Sequence, residues 1–230
     1  MKKRKFIIIS VVIAAVAASG IIVAAIIKNN RFDYDAYYAR RCAVFEEENK
    51  SFESGQIVFI GDSITEGYDL AHYYDLPLKV YNRGIGGDTT KGVIDRLKLS
   101  LYAIKPSVVV VLIGINDLNA NKSAEYVLDN YRSILENVKQ NLPEAEVFVQ
   151  SVYPVRDIEY RIEKSTDAIL KVNSELKPLA QSFGYTYIEL FGILEDGEKH
   201  LKKNYSKDGL HPNAVAYEAV TAEILKYLLV

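Results

Sequence analysis

The chain contains few of the residues that build disulfide scaffolds or metal centres. Its 230 residues include one cysteine, three histidines and no tryptophan. Because a disulfide needs two cysteines, Cys42 cannot form an internal one, and the same shortage excludes a cysteine metal cluster. The histidines are scattered, and zinc sites need more clustered ligands than they offer. We therefore expect no metal and no cofactor.

Basic residues are scarce outside the N-terminus. Residues 1–32 hold six basic and no acidic residues, which leaves 22 basic and 30 acidic residues, a net charge of −8, for residues 33–230. A domain of that charge repels a polyanion, so we expect no nucleic-acid partner. Apolar residues make up 49% of the chain, which is enough for a core and argues against global disorder.

One long uncharged stretch is present, at residues 6–27. As a helix it would be about 33 Å long, enough to cross a hydrocarbon core of about 30 Å. Four basic residues precede it, and the positive-inside rule places residues 1–5 in the cytoplasm as a short tail. We interpret residues 6–27 as an uncleaved transmembrane signal anchor in the cell membrane. Residues 28–55 would be a juxtamembrane helical linker, and residues 56–230 an extracytoplasmic domain.

A cleaved signal peptide is the alternative, since the small residues at 15–19 could suit a peptidase. Cleavage would give a secreted protein. However, the apolar run resumes at residues 21–27, and a signal-peptide core usually spans only about 7–15 residues. The length of the stretch therefore favours the anchor.

From residue 56 onward, short β-prone runs alternate with helical stretches. Residues 108–113 are apolar throughout, as expected for a central parallel strand that is covered on both faces. This alternation predicts an open α/β sheet with helices on both sides. The predicted strands are 56–61, 79–82, 107–114, 146–151 and 185–190, and the predicted helices are about 65–75, 89–101, 123–141, 160–183 and 212–228.

Residues with catalytic chemistry follow the predicted strands. Ser63 follows the first strand, while Asp208 and His211 lie past the fifth. Ligands of open α/β sheets bind beyond the carboxyl ends of the strands, so these side chains should lie at one edge. A serine, a histidine and an aspartate are the components of a nucleophilic hydrolase. A serine N-cap and a solvated histidine are the simpler interpretations of each residue taken alone.

Two further loops at this edge could stabilise negative charge. The segment Gly84–Asp88 lacks the third glycine of a dinucleotide loop, because Thr89 stands there. Its backbone N–H groups could donate to an oxyanion, or the glycines could serve only a turn. Asn116 could donate through its side-chain amide, or it could close an Asx-turn with Asp117.

These segments together resemble the four blocks of the SGNH (GDSL-type) hydrolases. The blocks are Gly61–Ser63, Gly84–Thr90, Gly114–Asp117 and Asp208–Pro212, and the similarity covers roughly residues 56–228. The second block is especially similar to the branch that contains the intracellular platelet-activating-factor acetylhydrolase catalytic subunits. The resemblance implies a flavodoxin-like three-layer α/β/α fold with a five-stranded parallel sheet, preceded here by the transmembrane helix.

The resemblance also implies roles for individual residues. Ser63 would be the nucleophile, His211 the base and Asp208 its orienting partner. The oxyanion hole would consist of the N–H groups of Ser63 and Gly87 and the side chain of Asn116. The chain departs from the usual blocks at two positions, with Ile64 in place of leucine and Ile115 where threonine or glycine is more common.

We therefore expect a membrane-anchored serine esterase that acts on short acyl esters, acetyl above all, of carbohydrates or other polar alcohols. Tyr153 and Arg156, in a loop after the fourth strand, are candidate substrate-binding residues. The alternatives are a lysophospholipase, an O-acyltransferase that uses the same residues, and a non-catalytic envelope-binding module. The sequence shows no long apolar insertion that could cover a fatty chain, which favours the short-acyl interpretation.

Overall fold

Five parallel strands form one sheet in the order β2-β1-β3-β4-β5. The structure, a computed structural model, describes residues 33–156 and 163–229. Central strands β1 and β3 are almost wholly buried because helices cover both faces of the sheet. The strands are β1 (Ile57–Gly61), β2 (Val80–Gly84), β3 (Val108–Leu112), β4 (Glu146–Gln150) and β5 (Thr186–Ile188).

Helices connect the strands, and several of them begin at polar side chains that accept backbone N–H bonds. Asp62, Asp69, Thr89, Ser123 and Asn213 cap five of them in this way. The α-helices are α1 (Tyr34–Asn49), α2 (Ser63–Glu66), α3 (Leu70–Tyr73), α4 (Thr90–Leu97), α5 (Ile115–Asn119), α6 (Ala124–Asn141), α7 (Glu163–Ser182), α8 (Phe191–Leu194) and α9 (Ala214–Leu228), with a π-helix at Lys98–Tyr102 and a 3₁₀-helix at Lys203–Tyr205.

The helices form two layers. Helix α6 contacts both α4 and α7, and right-handed crossovers place the three helices on one face of the sheet. On the other face, α9 packs against the segment that joins β1 to β2, where the rings of Tyr68 and Tyr217 stack at 4.4 Å. Tyr217 also donates a hydrogen bond to the carbonyl of Ile64. This packing holds α9, and the loop before it, next to the carboxyl end of β1.

The strand register aligns the loops at this edge. Gly61 at the end of β1 lies opposite Gly84 of β2 and Leu112 of β3. The loops that follow these three strands therefore start side by side. A Cβ added to Gly84 would lie 2.1 Å from the backbone nitrogen of Glu66, so only glycine allows β2 to approach α2 this closely.

The predicted three-layer α/β fold with five parallel strands is confirmed. The helix predicted at 65–75 is instead two short helices, because the chain turns at Gly67 and starts again at the Asp69 cap. No helix within 33–156 or 163–229 is long and apolar enough to cross a membrane. The predicted anchor, residues 6–27, lies outside the described residues and stays a prediction.

Helix α1 is anchored to the edge of the sheet through Arg83. The chain divides into two units, and the one that contains the sheet begins at Arg40. The Arg83 side chain is fully buried on β2 and pairs with Glu48 and with the Asn49 amide oxygen at 2.7 Å, both on α1. Its guanidinium lies 4.5 Å from the ring of Phe45 and 4.4 Å from that of Phe52. Residues 40–49 thus supply the partners of a buried charge.

Candidate active site

Ser63 lies at the turn between β1 and α2, at the carboxyl edge of the sheet. The buried Asp62 caps α2 by accepting a hydrogen bond of 2.9 Å from the N–H of Ile64. This cap fixes the turn, and Ser63 is left partly exposed while its neighbours are buried. The serine hydroxyl is therefore accessible on a rigid turn.

His211 and Asp208 complete a hydrogen-bonded chain with Ser63. The Ser63 Oγ lies 2.9 Å from His211 Nε2, and His211 Nδ1 lies 2.6 Å from Asp208 Oδ2. A carboxylate can only accept, so Nδ1 carries the ring proton and donates it to Asp208. Nε2 is then an acceptor for the Ser63 hydroxyl. The structure thus brings together three residues that are separated by up to 148 positions in the chain.

Asp208 is held as an anion by several donors. Its Oδ1 accepts bonds of 3.0, 3.0 and 2.8 Å from the Ser206 hydroxyl and from the N–H groups of Leu210 and His211. Partial burial disfavours the charged form, but these bonds and the His211 side chain outweigh it and lower the pKa of Asp208 below its usual value. Asp208 therefore remains ionised at neutral pH.

The loop that carries Asp208 is fixed by the segment after β4. The N–H of Arg156 donates to the carbonyl of Gly209 at 2.8 Å. The Arg156 guanidinium pairs with Asp196 and donates to the carbonyl of Leu201 at 2.7 Å. The Tyr153 hydroxyl is buried and donates to Gln150 at 2.7 Å. Binding of substrate by Tyr153 and Arg156 stays a prediction, and the structure gives the polar groups of both side chains protein partners.

The two candidate oxyanion loops are joined to each other. The Asn116 amide donates a hydrogen bond of 2.8 Å to the carbonyl of Asp88. Gly87, immediately before Asp88, is exposed and has a φ of +78°, which glycine adopts without strain. Asn116 and Gly87 thus belong to one connected structure at the carboxyl edges of β2 and β3.

A buried arginine, which sequence reasoning missed, ties these loops to the sheet. Arg96 on α4 donates to the Asp88 carboxylate at 2.7 Å and to the carbonyls of Arg83 and Gly61, each at 2.8 Å. Both side chains of the ion pair are almost fully buried. Asp88 belongs to the Gly-Gly-Asp-Thr-Thr segment that the sequence analysis identified, but no local pattern indicated that an arginine on the following helix would pair with it. Arg96 holds the ends of β1 and β2 and the loop between β2 and α4 in one arrangement.

Three buried carboxyl groups lie behind Ser63. Asp117 accepts bonds of 2.9 Å from both the N–H and the hydroxyl of Thr90. Burial raises the pKa of Asp88 and of Asp117, in spite of their partners. Burial, with further contributions from these two carboxylates, raises the pKa of Asp62 to about 7, and its Oδ2 has no hydrogen-bond partner among the described residues. The interior next to Ser63 therefore contains three buried carboxyl groups whose pKa values are all raised.

A sequence model of the GDSL-like Lipase/Acylhydrolase family matches residues 59–219, a range that includes all of the site residues described above. The chain belongs to this family.

Curated relatives agree with this family. The human platelet-activating factor acetylhydrolase IB subunit alpha2 is 36% identical over 102 residues, and the bovine subunit alpha1 is 37% identical over 106 residues. Each match covers 43% of this chain and 44% of the relative, so the chain aligns with less than half the length of the curated relatives that it matches.

Solved structures share the fold over a larger part of the chain. A protein from Streptococcus pneumoniae, described as a platelet activating factor, superposes with a TM-score of 0.80 at 27% identity, covering 90% of this chain and 98% of that one. A GDSL-like lipase from Bacteroides thetaiotaomicron gives a TM-score of 0.71 at 24% identity, covering 86% of this chain and 97% of that one. At that identity the second likeness shows the fold alone.

Proposed function

We propose that this acylhydrolase is a serine esterase in which Ser63 is the nucleophile, His211 the general base and Asp208 its orienting partner. The observation that carries the proposal is the hydrogen-bonded chain from Ser63 Oγ through His211 to Asp208. As the Ser63 oxygen bonds to the ester carbonyl carbon, His211 Nε2 takes the hydroxyl proton. The ionised Asp208 stabilises the resulting imidazolium.

The negative charge that develops on the carbonyl oxygen needs donors that are already in place. We assign this role to the N–H groups of Ser63 and Gly87 and to the Asn116 side chain. The Asn116–Asp88 bond supports the assignment, because it holds the amide beside the Gly87 loop before any substrate binds. Donors that are fixed in advance do not have to reorganise as the charge appears.

Three further proton transfers close the cycle. His211 returns its proton to the leaving alcohol, and the acyl group remains on Ser63 as an ester. A water molecule then attacks this acyl-enzyme while His211 takes one of its protons. The carboxylic acid leaves, and Ser63 recovers its proton from His211. Apart from this water molecule, the mechanism uses only the side chains and backbone N–H groups named above.

The test is the Ser63→Ala variant of the full chain. We expect it to fold normally and to lose nearly all esterase activity, with any residual rate coming from substrate binding and the oxyanion donors. A fluorophosphonate should label the wild-type chain at Ser63 and leave the variant unlabelled. Ser174→Ala, which changes an exposed serine on α7, should keep both activity and labelling. Full activity in Ser63→Ala would refute the proposed mechanism.

For the substrate we propose short acyl esters, with acetyl preferred, of carbohydrates or other polar alcohols. The curated relatives support acetyl, since they are named as acetylhydrolases. The net charge of −8 on residues 33–230 supports a polar alcohol over an anionic lipid surface. We place this domain outside the cell membrane, anchored through residues 6–27.

Substrate and location need separate measurements. Values of kcat/KM for p-nitrophenyl acetate, butyrate, octanoate and palmitate, each below its micelle threshold, should be highest for acetate. A maximum at octanoate or palmitate would instead indicate a lipid esterase, and acetylated sugar formed from an added acceptor would indicate a transferase.

Protease added to cells with a permeable wall should digest the domain, whereas release of a soluble form beginning near residue 19 would show cleavage.

A further inference from the structure

Helix α1 contacts the active-site edge through Arg41, although the helix lies outside the segment that matches the family. The Arg41 Nε lies 2.9 Å from the Glu66 Oε1, and about a quarter of each side chain is exposed. Arg41 Nη2 also makes a long bond of 3.4 Å to the carbonyl of Gly84, the last residue of β2. A partly buried ion pair is screened less than a surface pair, so this contact is suited to fixing the position of Glu66.

Glu66 in turn contacts the loop that contains Gly87. It is the last residue of α2, the short helix that begins at Ser63. Its Oε2 accepts a hydrogen bond of 2.8 Å from the N–H of Gly86. A bond to a carboxylate is stronger than one between neutral groups. The next peptide along the chain supplies the Gly87 N–H, so Glu66 orients the peptide beside the assigned oxyanion donor.

The loop is therefore held at both of its ends. The N–H of Asp88 bonds to the carbonyl of Ile85 at 3.0 Å and closes the turn. Asn116 holds the second half through the Asp88 carbonyl, and Glu66 holds the first half through the Gly86 N–H. Gly87 lies between these two attachments, where a small rotation of either peptide would redirect its N–H.

We propose that Arg41 and Glu66 are positioning residues for the oxyanion hole, with Arg41 acting through Glu66 and Glu66 acting on the peptide before Gly87. The part of α1 that belongs to the same unit as the sheet, residues 40–49, then helps to position the oxyanion hole. The inference rests on the proposed function, because it assigns an oxyanion donor to Gly87. Misplacement of a reacting or stabilising group by about 1 Å can cost about 10²-fold in rate, so partial loss of positioning should be readily measurable.

The test uses Arg41→Gln, Glu66→Ala and the double variant in the full chain. Active enzyme is counted by fluorophosphonate titration, so that a loss of folded protein does not count as a loss of rate. We expect kcat to fall about tenfold in Glu66→Ala and by less in Arg41→Gln, with KM nearly unchanged in both. These losses are smaller than the fall of about 10²–10³-fold in kcat that follows when an oxyanion donor is removed outright. The double variant should equal Glu66→Ala alone, because Arg41 acts through Glu66. Arg41→Lys should recover part of the loss.

A second readout separates positioning from general stability. A trifluoromethyl ketone forms an anionic tetrahedral adduct with the serine, so its affinity should fall in step with kcat in both variants. Glu47→Gln, at an exposed α1 residue that pairs with Lys50, should leave both values unchanged. Glu48→Gln, which removes a partner of buried Arg83, should lower the unfolding free energy but not the kcat of titrated enzyme.

Wild-type kcat and inhibitor affinity in Glu66→Ala, or single-variant effects that simply multiply in the double variant, would overturn the inference. The proposed function fails by a different result, which is full activity in Ser63→Ala. The two failures are therefore distinguishable in one set of variants.

Discussion

Replacing Asp62 with asparagine should stabilise the protein, although Asp62 adjoins Ser63, the proposed nucleophile. The side chain is fully buried, one of its oxygens accepts from Ile64, and the other has no hydrogen-bond partner among the described residues. Asparagine keeps an oxygen for the Ile64 N–H and has no charge to bury. The variant therefore retains the cap of α2 and removes the ionisation that burial opposes.

The size of the effect follows from the pKa of Asp62. Burial raises it from 3.8 to about 7. At about 1.36 kcal/mol for each pH unit, complete ionisation in the folded state costs on the order of 4 kcal/mol. The folded state keeps the proton between pH 3.8 and 7 while the unfolded state loses it, so stability falls as the pH rises through this window. The gain from Asp62→Asn should be near zero at pH 4 and largest above pH 7.

Urea unfolding of the full chain at pH 4, 5.5, 7 and 8 measures this difference. The free energies of unfolding of the wild type and of Asp62→Asn should diverge as the pH rises. Asp95→Asn, which alters an exposed carboxylate paired with Lys91, should run parallel to the wild type. If the difference between Asp62→Asn and the wild type is the same at pH 5.5 and pH 8, the carboxyl group ionises normally and the reasoning is wrong.

Two further predictions concern the reaction itself. Asn116→Ala should lower kcat by about 10²–10³-fold with a smaller effect on KM, since the amide matters mainly when the carbonyl oxygen becomes charged; a change in KM alone would make Asn116 a substrate contact. Asp208→Asn should lower kcat by about 10²–10⁴-fold while the protein stays folded. Three donors require an oxygen at the Oδ1 position, so the new NH₂ would face His211 Nδ1 and shift the ring proton to Nε2. Unaltered kcat in stopped-flow assays of Asp208→Asn would contradict this tautomer argument.

The sequence predicted the sheet and its edge because both depend on local patterns. An all-apolar run such as residues 108–112 can be stable only when both faces are covered, and that requirement specifies a central parallel strand. Once the strands are placed, Ser63 and His211 must lie at the carboxyl edge. The packing of α9 against the segment that joins β1 to β2 then holds the His211 loop beside Ser63, and the two side chains lie 2.9 Å apart.

The contacts that position the site were not predictable in the same way. Arg96 lies on α4 in a segment with ordinary helical periodicity, and the pairing of Arg41 with Glu66 joins residues 25 positions apart. Such pairs depend on how helices dock onto the sheet, which short-range sequence patterns do not encode. Residues 28–55 were interpreted as a linker for the same reason, since nothing local to α1 reveals that buried Arg83 requires Glu48.

The three buried carboxyl groups next to Ser63 lower the stability of the fold, but they also hold the loops of the site in place. Arg96 compensates Asp88, and Thr90 satisfies Asp117, but Asp62 has only one bonded oxygen. Each of these groups fixes the turn or loop from which a proposed catalytic donor extends, and charge-assisted bonds in a dry interior allow little movement. An apolar interior would avoid the free-energy cost of burying charged groups, but it would lack the hydrogen bonds that hold these loops in place. The gain in stability expected from Asp62→Asn is therefore the free energy that the fold loses by keeping an ionisable carboxyl group at the cap of α2.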